Sequence, residues 1–125
     1  MRDKMNDPAR IDLMREAVSN IEEFLQDIDT CSAFIANKIL CHAVIYNLQC
    51  IGENAYKLKR EFVSSHSEID WETIEGLRHV LVHDYYTVNM EMVWNILEKD
   101  VPQLKNWLDN HLSLTASAPS QTRRG

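Results

Sequence analysis

The chain has 125 residues, 45% of them hydrophobic, with only three glycines and three prolines, which predicts one domain with a single core of long helices and leaves too few turn formers for many short strands. A formal net charge of −6 excludes bulk attraction for nucleic acid, so any RNA-directed function needs a local basic patch, for which Lys57, Lys59, Arg60, Arg78 and His79 are the candidates. No apolar run approaches the roughly 20 residues of a membrane span and no signal-peptide core opens the chain; Cys31, Cys41 and Cys50 lack paired spacing and are expected as reduced, packed thiols, which together predict a soluble cytoplasmic protein.

Residues 1–6 are polar and read as a frayed end. Asp7 before Pro8 supplies an N-cap and a proline at the first helical position. Ile11, Met14, Val18, Ile21, Leu25 and Ile28 then recur three and four apart among charged residues, an amphipathic helix ending at Asp29-Thr30. Residues 31–35 are ambiguous, one reading being a short turn of helix across the bundle end. A second long helix is predicted over 37–62 through Leu40, Val44, Leu48, Ile51, Ala55, Leu58 and Phe62. Gly52 falls inside it, where alanine would be favoured by about 1 kcal/mol, so it predicts close approach of another backbone or room at a site.

Residues 63–69 form a polar connector. Asp70 caps a third helix of about 13 residues, some 20 Å long, with Trp71, Ile74, Leu77 and Leu81 facing inward and Val80 as a further candidate. Asn89 caps a fourth through Met92, Val93, Ile96, Leu97, Val101, Leu104, Leu108 and Leu112, in which Pro102 predicts a kink near Glu98 or a break. After Leu114 almost nothing remains to bury, so the domain is assigned to 7–114 and 115–125 to a disordered tail. The architecture is an all-α, antiparallel four- to five-helix bundle.

The chemistry-bearing residues crowd the end of the third helix, 76–86, where Arg78, His79, His83, Tyr85 and Tyr86 interrupt a stretch that otherwise reads as core. Arginine keeps its charge while histidine exchanges a proton near neutral pH. That pair suits a phosphodiester: the cation neutralises charge growing on the non-bridging oxygens, and the imidazole handles the proton of nucleophile or leaving group. Five positions along an ideal helix set Arg78 and His83 about 140° apart. They converge only if the helix loosens near His83 or a second copy supplies the missing partner. His79 and His83 have the spacing of helical metal ligands, but no H-E-x-x-H context or third acidic ligand accompanies them, so no metal site is assigned. His42, His66 and His111 have no partner pattern and are assigned nothing. Trp71, Trp94 and Trp107 read as core or dimer-interface anchors more than as base-stacking platforms.

Arg78, the polar His79 after it and His83 match the Arg-x4-6-His signature of HEPN domains, and His83-Asp84-Tyr85 extends it to Arg-x4-His-x-Tyr. The chain thereby resembles the HepT-like branch, toxin ribonucleases encoded beside a minimal nucleotidyltransferase antitoxin of the MntA type. Asn47-Leu48 followed by Ile51-Gly52-Glu53-Asn54-Ala55 resembles that family's Asn-Leu-x-x-Ile-Gly-Glu-Ala-Ala helix, Ile69-Asp70-Trp71 onward to Leu104 also follows it, and residues 9–112 are covered in all. The resemblance implies a dimerising HEPN bundle and a metal-independent, cofactor-free endoribonuclease. His83 would transfer the proton for attack of a ribose 2′-OH on its phosphate, Arg78 would stabilise the pentacoordinate species, and His79 would support them. DNA, lacking the 2′-OH, would be untouched. Glu53 would lie near the cleft and orient Arg78 or His83, the alternative being a surface or interhelical salt bridge. Tyr85 would receive AMP units from the partner. A rival reading is a non-catalytic HEPN module that docks a nucleotidyltransferase and helps bind nucleotide, which the acidic balance favours; a plain helical dimer would leave the motif without a purpose.

Overall fold

A computed structural model describes the backbone of residues 5–83 and 89–124 and the side chains of 5–78 and 89–111. The first helix, α1 (Asp7–Phe24), is capped one residue earlier than Asp7-Pro8 suggested. Asn6 is the cap, its side-chain oxygen accepting from the Ala9 amide at 3.0 Å. Asp7 is diverted to a tertiary role, its carboxylate accepting from the Lys59 amide at 3.3 Å. The helix also stops short of Ile28, with Leu25 as C-cap. Thr30 then caps α2 (Cys31–Ala36), accepting from the Ala33 amide at 3.1 Å. This short helix seats Phe34, fully buried, against Trp94 at 5.5 Å between ring centroids.

The helix predicted over 37–62 is two helices. Asn37 caps α3 (Lys38–Tyr56), and α4 (Arg60–Ser65) begins after Lys57-Leu58-Lys59. No glycine or proline marks the break. It is made by tertiary contact: Leu58 turns into the core, and extended Lys59 gives its amide to Asp7. Asp70 caps α5 (Trp71–His83) as predicted, accepting from the Thr73 amide at 3.3 Å and hydroxyl at 2.7 Å. Asn89 likewise caps α6 (Met90–Arg124), accepting from the amides of Glu91 and Met92.

Of the kink or break expected near Glu98, the break does not occur, since α6 runs through Pro102. The single backbone hydrogen bond that proline removes is tolerated where Val101, Leu104 and Leu108 all pack in the core. The backbone of α6 is helical to Arg124.

Four long helices and two short ones therefore make an all-α bundle, with no strand among the described residues. Its centre is α3, which packs on α1 and on α5, while α6 lies against α1 and α2. Val44, Leu48, Ile51 and Ala55 of α3 are completely buried, meeting Ile11, Met14, Val18 and Ile21 of α1 within one core.

The α1–α3 seam is partly polar. Arg10, only 4% exposed, donates from Nη1 to Asn54 Oδ1 at 3.0 Å, and Asn54 returns its amide to the Cys50 carbonyl at 2.8 Å. One helix turn pair earlier, Asn20 donates to Asn47 Oδ1 and Asn47 to the Ala43 carbonyl. A guanidinium so placed would be costly without an acceptor, and Asn54, standing where the resembled pattern carries alanine, provides one. All three cysteines are free thiols, and burial pushes the Cys41 thiol pKa up.

Candidate active site

Arg78 is positioned by a glycine on the neighbouring helix. A β-carbon added at Gly52 would collide with the Arg78 backbone nitrogen and lie 3.1 Å from its Cα and Cβ. Only glycine lets α5 come this close to α3. The resulting contact drops the Arg78 side chain between two α3 residues on the turn after Gly52. Arg78 Nε donates to Glu53 Oε1 at 3.1 Å, and its Cζ lies 4.0 Å from the centre of the Tyr56 ring. Glu53 Oε2 pairs with Lys57 Nζ at 3.1 Å, so one carboxylate joins two cations.

The hydrogen bond from Lys57, then that from Arg78, hold the Glu53 carboxyl below the usual carboxylate range. Arg78 is 34% and Glu53 45% exposed. Ion pairs this wet add little stability, so the carboxylate's principal effect is to aim the guanidinium. Of the predicted basic patch, Lys57 and Arg78 are brought onto one carboxylate, while Lys59 is engaged through its backbone with Asp7 at the start of α4.

His79 and His83 lie among the last five residues of α5, whose backbone is helical through His83; their side chains fall outside the described residues, as does Tyr85 altogether. Glu53 lies beside Arg78. Among the described residues no group of three His, Cys, Asp or Glu side chains could hold a metal ion, and no helix is long and apolar enough to cross a membrane.

Sequence reasoning passed over two features. Tyr56 received no role, although it stands three residues after Glu53 and four after Gly52 and so on the same helix face. His66 and His111, left unassigned, join an aromatic corner. His111 stacks on Trp107 at 4.9 Å and lies 5.1 Å from His66, which stacks on Phe62 at 4.3 Å. Trp71 donates from its indole to the His66 carbonyl, and Trp107 to Glu68 Oε2 at 2.7 Å. Their sequence separation, across three elements, carries no local pattern. Trp71 and Trp107 are core residues, as expected.

The family model described as "Ribonuclease HepT-like" matches residues 14–110. A protein of Methanocaldococcus jannaschii named "Putative RNase" is 34% identical over 90 residues, covering 72% of this chain and 82% of that relative. One of Caldanaerobacter subterraneus with the same style of name is 35% identical over 72 residues, 58% of this chain and 64% of its own length. A "Probable ribonuclease HepT" of Thermococcus cleftensis is 34% identical over 90 residues, 72% of this chain and 81% of the relative. No solved structure matches. The matched span contains α3, α5 and the residues that carry the Arg-x4-His motif, and with the all-α HEPN bundle it settles the identity: the chain belongs to the HepT-like ribonuclease family.

Proposed function

We propose that this ribonuclease is a metal-independent endonuclease whose reacting groups are Arg78 and His83. The ribose 2′-oxygen attacks the adjacent phosphorus, the new P–O2′ bond replaces the P–O5′ bond, and the 2′-OH proton is taken up as one is delivered to the leaving 5′-oxygen. The products are a 2′,3′-cyclic phosphate and a 5′-hydroxyl, with no water consumed. His83 transfers the proton and Arg78 meets the charge on the pentacoordinate phosphorus. His79 and Glu53 support them. The observation that carries this reading is the setting of Arg78, which is solvent-accessible yet fixed by Glu53 at 3.1 Å. Transition-state stabilisation by a cation requires that kind of preorganisation.

The helical backbone of α5 through His83 keeps Arg78 and His83 about 140° apart on one chain, which favours a two-fold homodimer whose cleft is lined by both motifs. In the same reading the protein is the cytoplasmic toxin of a type VII-like toxin–antitoxin pair. Its neighbouring minimal nucleotidyltransferase transfers AMP from ATP to the Tyr85 hydroxyl, releasing pyrophosphate. Each AMP then sets an anion beside Arg78 and His83, where it occupies the phosphate position and repels RNA. The net charge of −6 favours a second reading, a non-catalytic module that docks the nucleotidyltransferase.

One assay series separates these. Purified wild type, Arg78→Ala and His83→Ala are incubated with a mixed-sequence oligoribonucleotide and its DNA counterpart, with and without EDTA. RNA alone should be cut, equally in EDTA; His83→Ala should abolish cleavage with helical content retained, and Arg78→Ala should slow it on the order of 10²-fold or more. Loss in EDTA, restored by a divalent ion, sinks the mechanism, and an inert wild type supports the docking module. In a further arm, partner and ATP should inactivate the enzyme with AMP on the Tyr85 peptide. Inhibition that persists in Tyr85→Phe, with no adduct on wild type, means that the partner acts by covering the cleft.

A further inference from the structure

We infer that Tyr56 is a positioning residue for Arg78: its ring sets the plane in which the guanidinium is presented to a substrate phosphate. This rests on the reading of Arg78 as a reacting group and deepens it. Tyr56 is the last residue of α3 and is 52% exposed, although the chain buries Leu58 two positions later. Its ring face carries Arg78, with Cζ 4.0 Å from the centroid. A hydrogen bond from Nε to Glu53 Oε1 at 3.1 Å restrains the guanidinium along one edge but leaves it able to swing about that bond. An aromatic face under the guanidinium carbon restrains the remaining rotation, and a planar, delocalised guanidinium lies against such a face where lysine would not. Two restraints, both delivered from one turn of α3 after Gly52, fix the group in orientation without burying it.

Such a role concerns the transition state more than substrate capture. Arg78 loosened from Tyr56 still attracts RNA, but meets the pentacoordinate phosphorus in fewer productive orientations. Removing the ring should therefore lower kcat and leave KM nearly unchanged. Because contact is through the ring face, the hydroxyl is dispensable.

The test measures RNA cleavage and the Arg78 Nε–Hε NMR signal for wild type, Tyr56→Leu, Tyr56→Phe, Arg78→Ala and the Tyr56→Leu/Arg78→Ala double variant. Expected are an upfield ring-current shift of that signal in wild type and Tyr56→Phe, lost in Tyr56→Leu. In step with it, kcat should fall about tenfold in Tyr56→Leu and recover in Tyr56→Phe, with the double variant no slower than Arg78→Ala. A rise in KM at constant kcat would make Tyr56 a ground-state RNA contact and overturn the inference, as would Tyr56→Leu cleaving like wild type while Arg78→Ala is inactive. If Arg78→Ala itself cleaves normally, the reading of Arg78 fails, and the inference with it. A Tyr56→Leu variant that loses helical content is replaced by Tyr56→Gln, which keeps a long side chain without a ring and carries the same expectations.

Discussion

At position 52 the α3 backbone meets the α5 backbone with no space for a methyl group, and at position 76 the opposite holds, since an added β-carbon finds nothing within 4 Å. The two glycines are thus a matched pair inside helices. Alanine should stabilise either helix locally by about 1 kcal/mol through propensity. At Gly52 the gain is outweighed by overpacking of about 1–3 kcal/mol, because the atom struck is backbone and cannot rotate away. Gly52→Ala should lower the urea midpoint and Gly76→Ala raise it, with unchanged slopes. Cleavage should fall in Gly52→Ala beyond what stability explains, since a shift of α5 carries Arg78 off Glu53 and Tyr56. A midpoint that rises for both variants would show that the helices separate at no cost and that Gly52 does not set the site. Glycine inside the helical pattern was readable as a close approach. That the partner would be the Arg78 backbone was not, because no local pattern encodes which residue of another helix comes opposite.

Among the elements, the starts of α3, α5 and α6 were legible. Asp70 and Asn89 each open a helix where a short polar side chain precedes an apolar period, and Asn37 does the same. The elements set by distant contacts were not. The break at 57–59 follows from a bond between Lys59 and Asp7, 52 positions away, and the continuity of α6 through Pro102 from packing on α1 and α2. The aromatic corner of α4, α5 and α6 belongs to the same class, and it titrates. Burial, chiefly, and then the neighbouring His66 hold the His111 pKa below the ordinary histidine value, with Glu68 opposing. A histidine with a folded pKa below its unfolded one leaves the folded state binding fewer protons in that interval. Its contribution is whole above the unfolded value of about 6.5 and is lost as pH falls through it towards the folded pKa. Glu68, held low chiefly by the Trp107 indole, loses its contribution in the same direction but in the carboxylate range. Urea midpoints should therefore drop between about pH 7.5 and 5.5, with Trp fluorescence changing as the imidazolium forms against Trp107. His111→Phe, which keeps the stack, should flatten that drop. An unchanged drop in the variant would place the titrating group elsewhere.

For the whole molecule the question is how an acidic chain would hold an RNA phosphate between the proposed groups, which diverge on one helix. Lys57 and Arg78 concentrate positive charge on one face, partly offset by Glu53, and a second copy would double that concentration in one cleft. On the same α3, Ile39 and Tyr46 precede Glu53 at seven-residue spacing and are 83% and 65% exposed in the single chain. Apolar side chains so placed suit a two-fold contact in which α3 of each copy faces the other, bringing both Arg78 groups towards its axis. The proposed dimer then makes a prediction in trans. Arg78→Ala and His83→Ala homodimers each lack one kind of group in both halves and should be nearly or wholly inactive, Arg78→Ala slowed on the order of 10²-fold or more and His83→Ala abolished. A heterodimer of the two retains one arginine and one histidine, on different chains. If the cleft is composite, mixing and re-equilibrating the inactive variants should restore cleavage in proportion to the heterodimer seen by native mass spectrometry. Tyr46→Glu, placing like charges across the axis, should yield monomers with little activity. Wild type that scatters light only as a monomer at micromolar concentration would end the dimer. Verified heterodimers without activity would show instead that Arg78 and His83 must come from the same chain, and that the side chain of His83 reaches the phosphate by bending back across the end of α5.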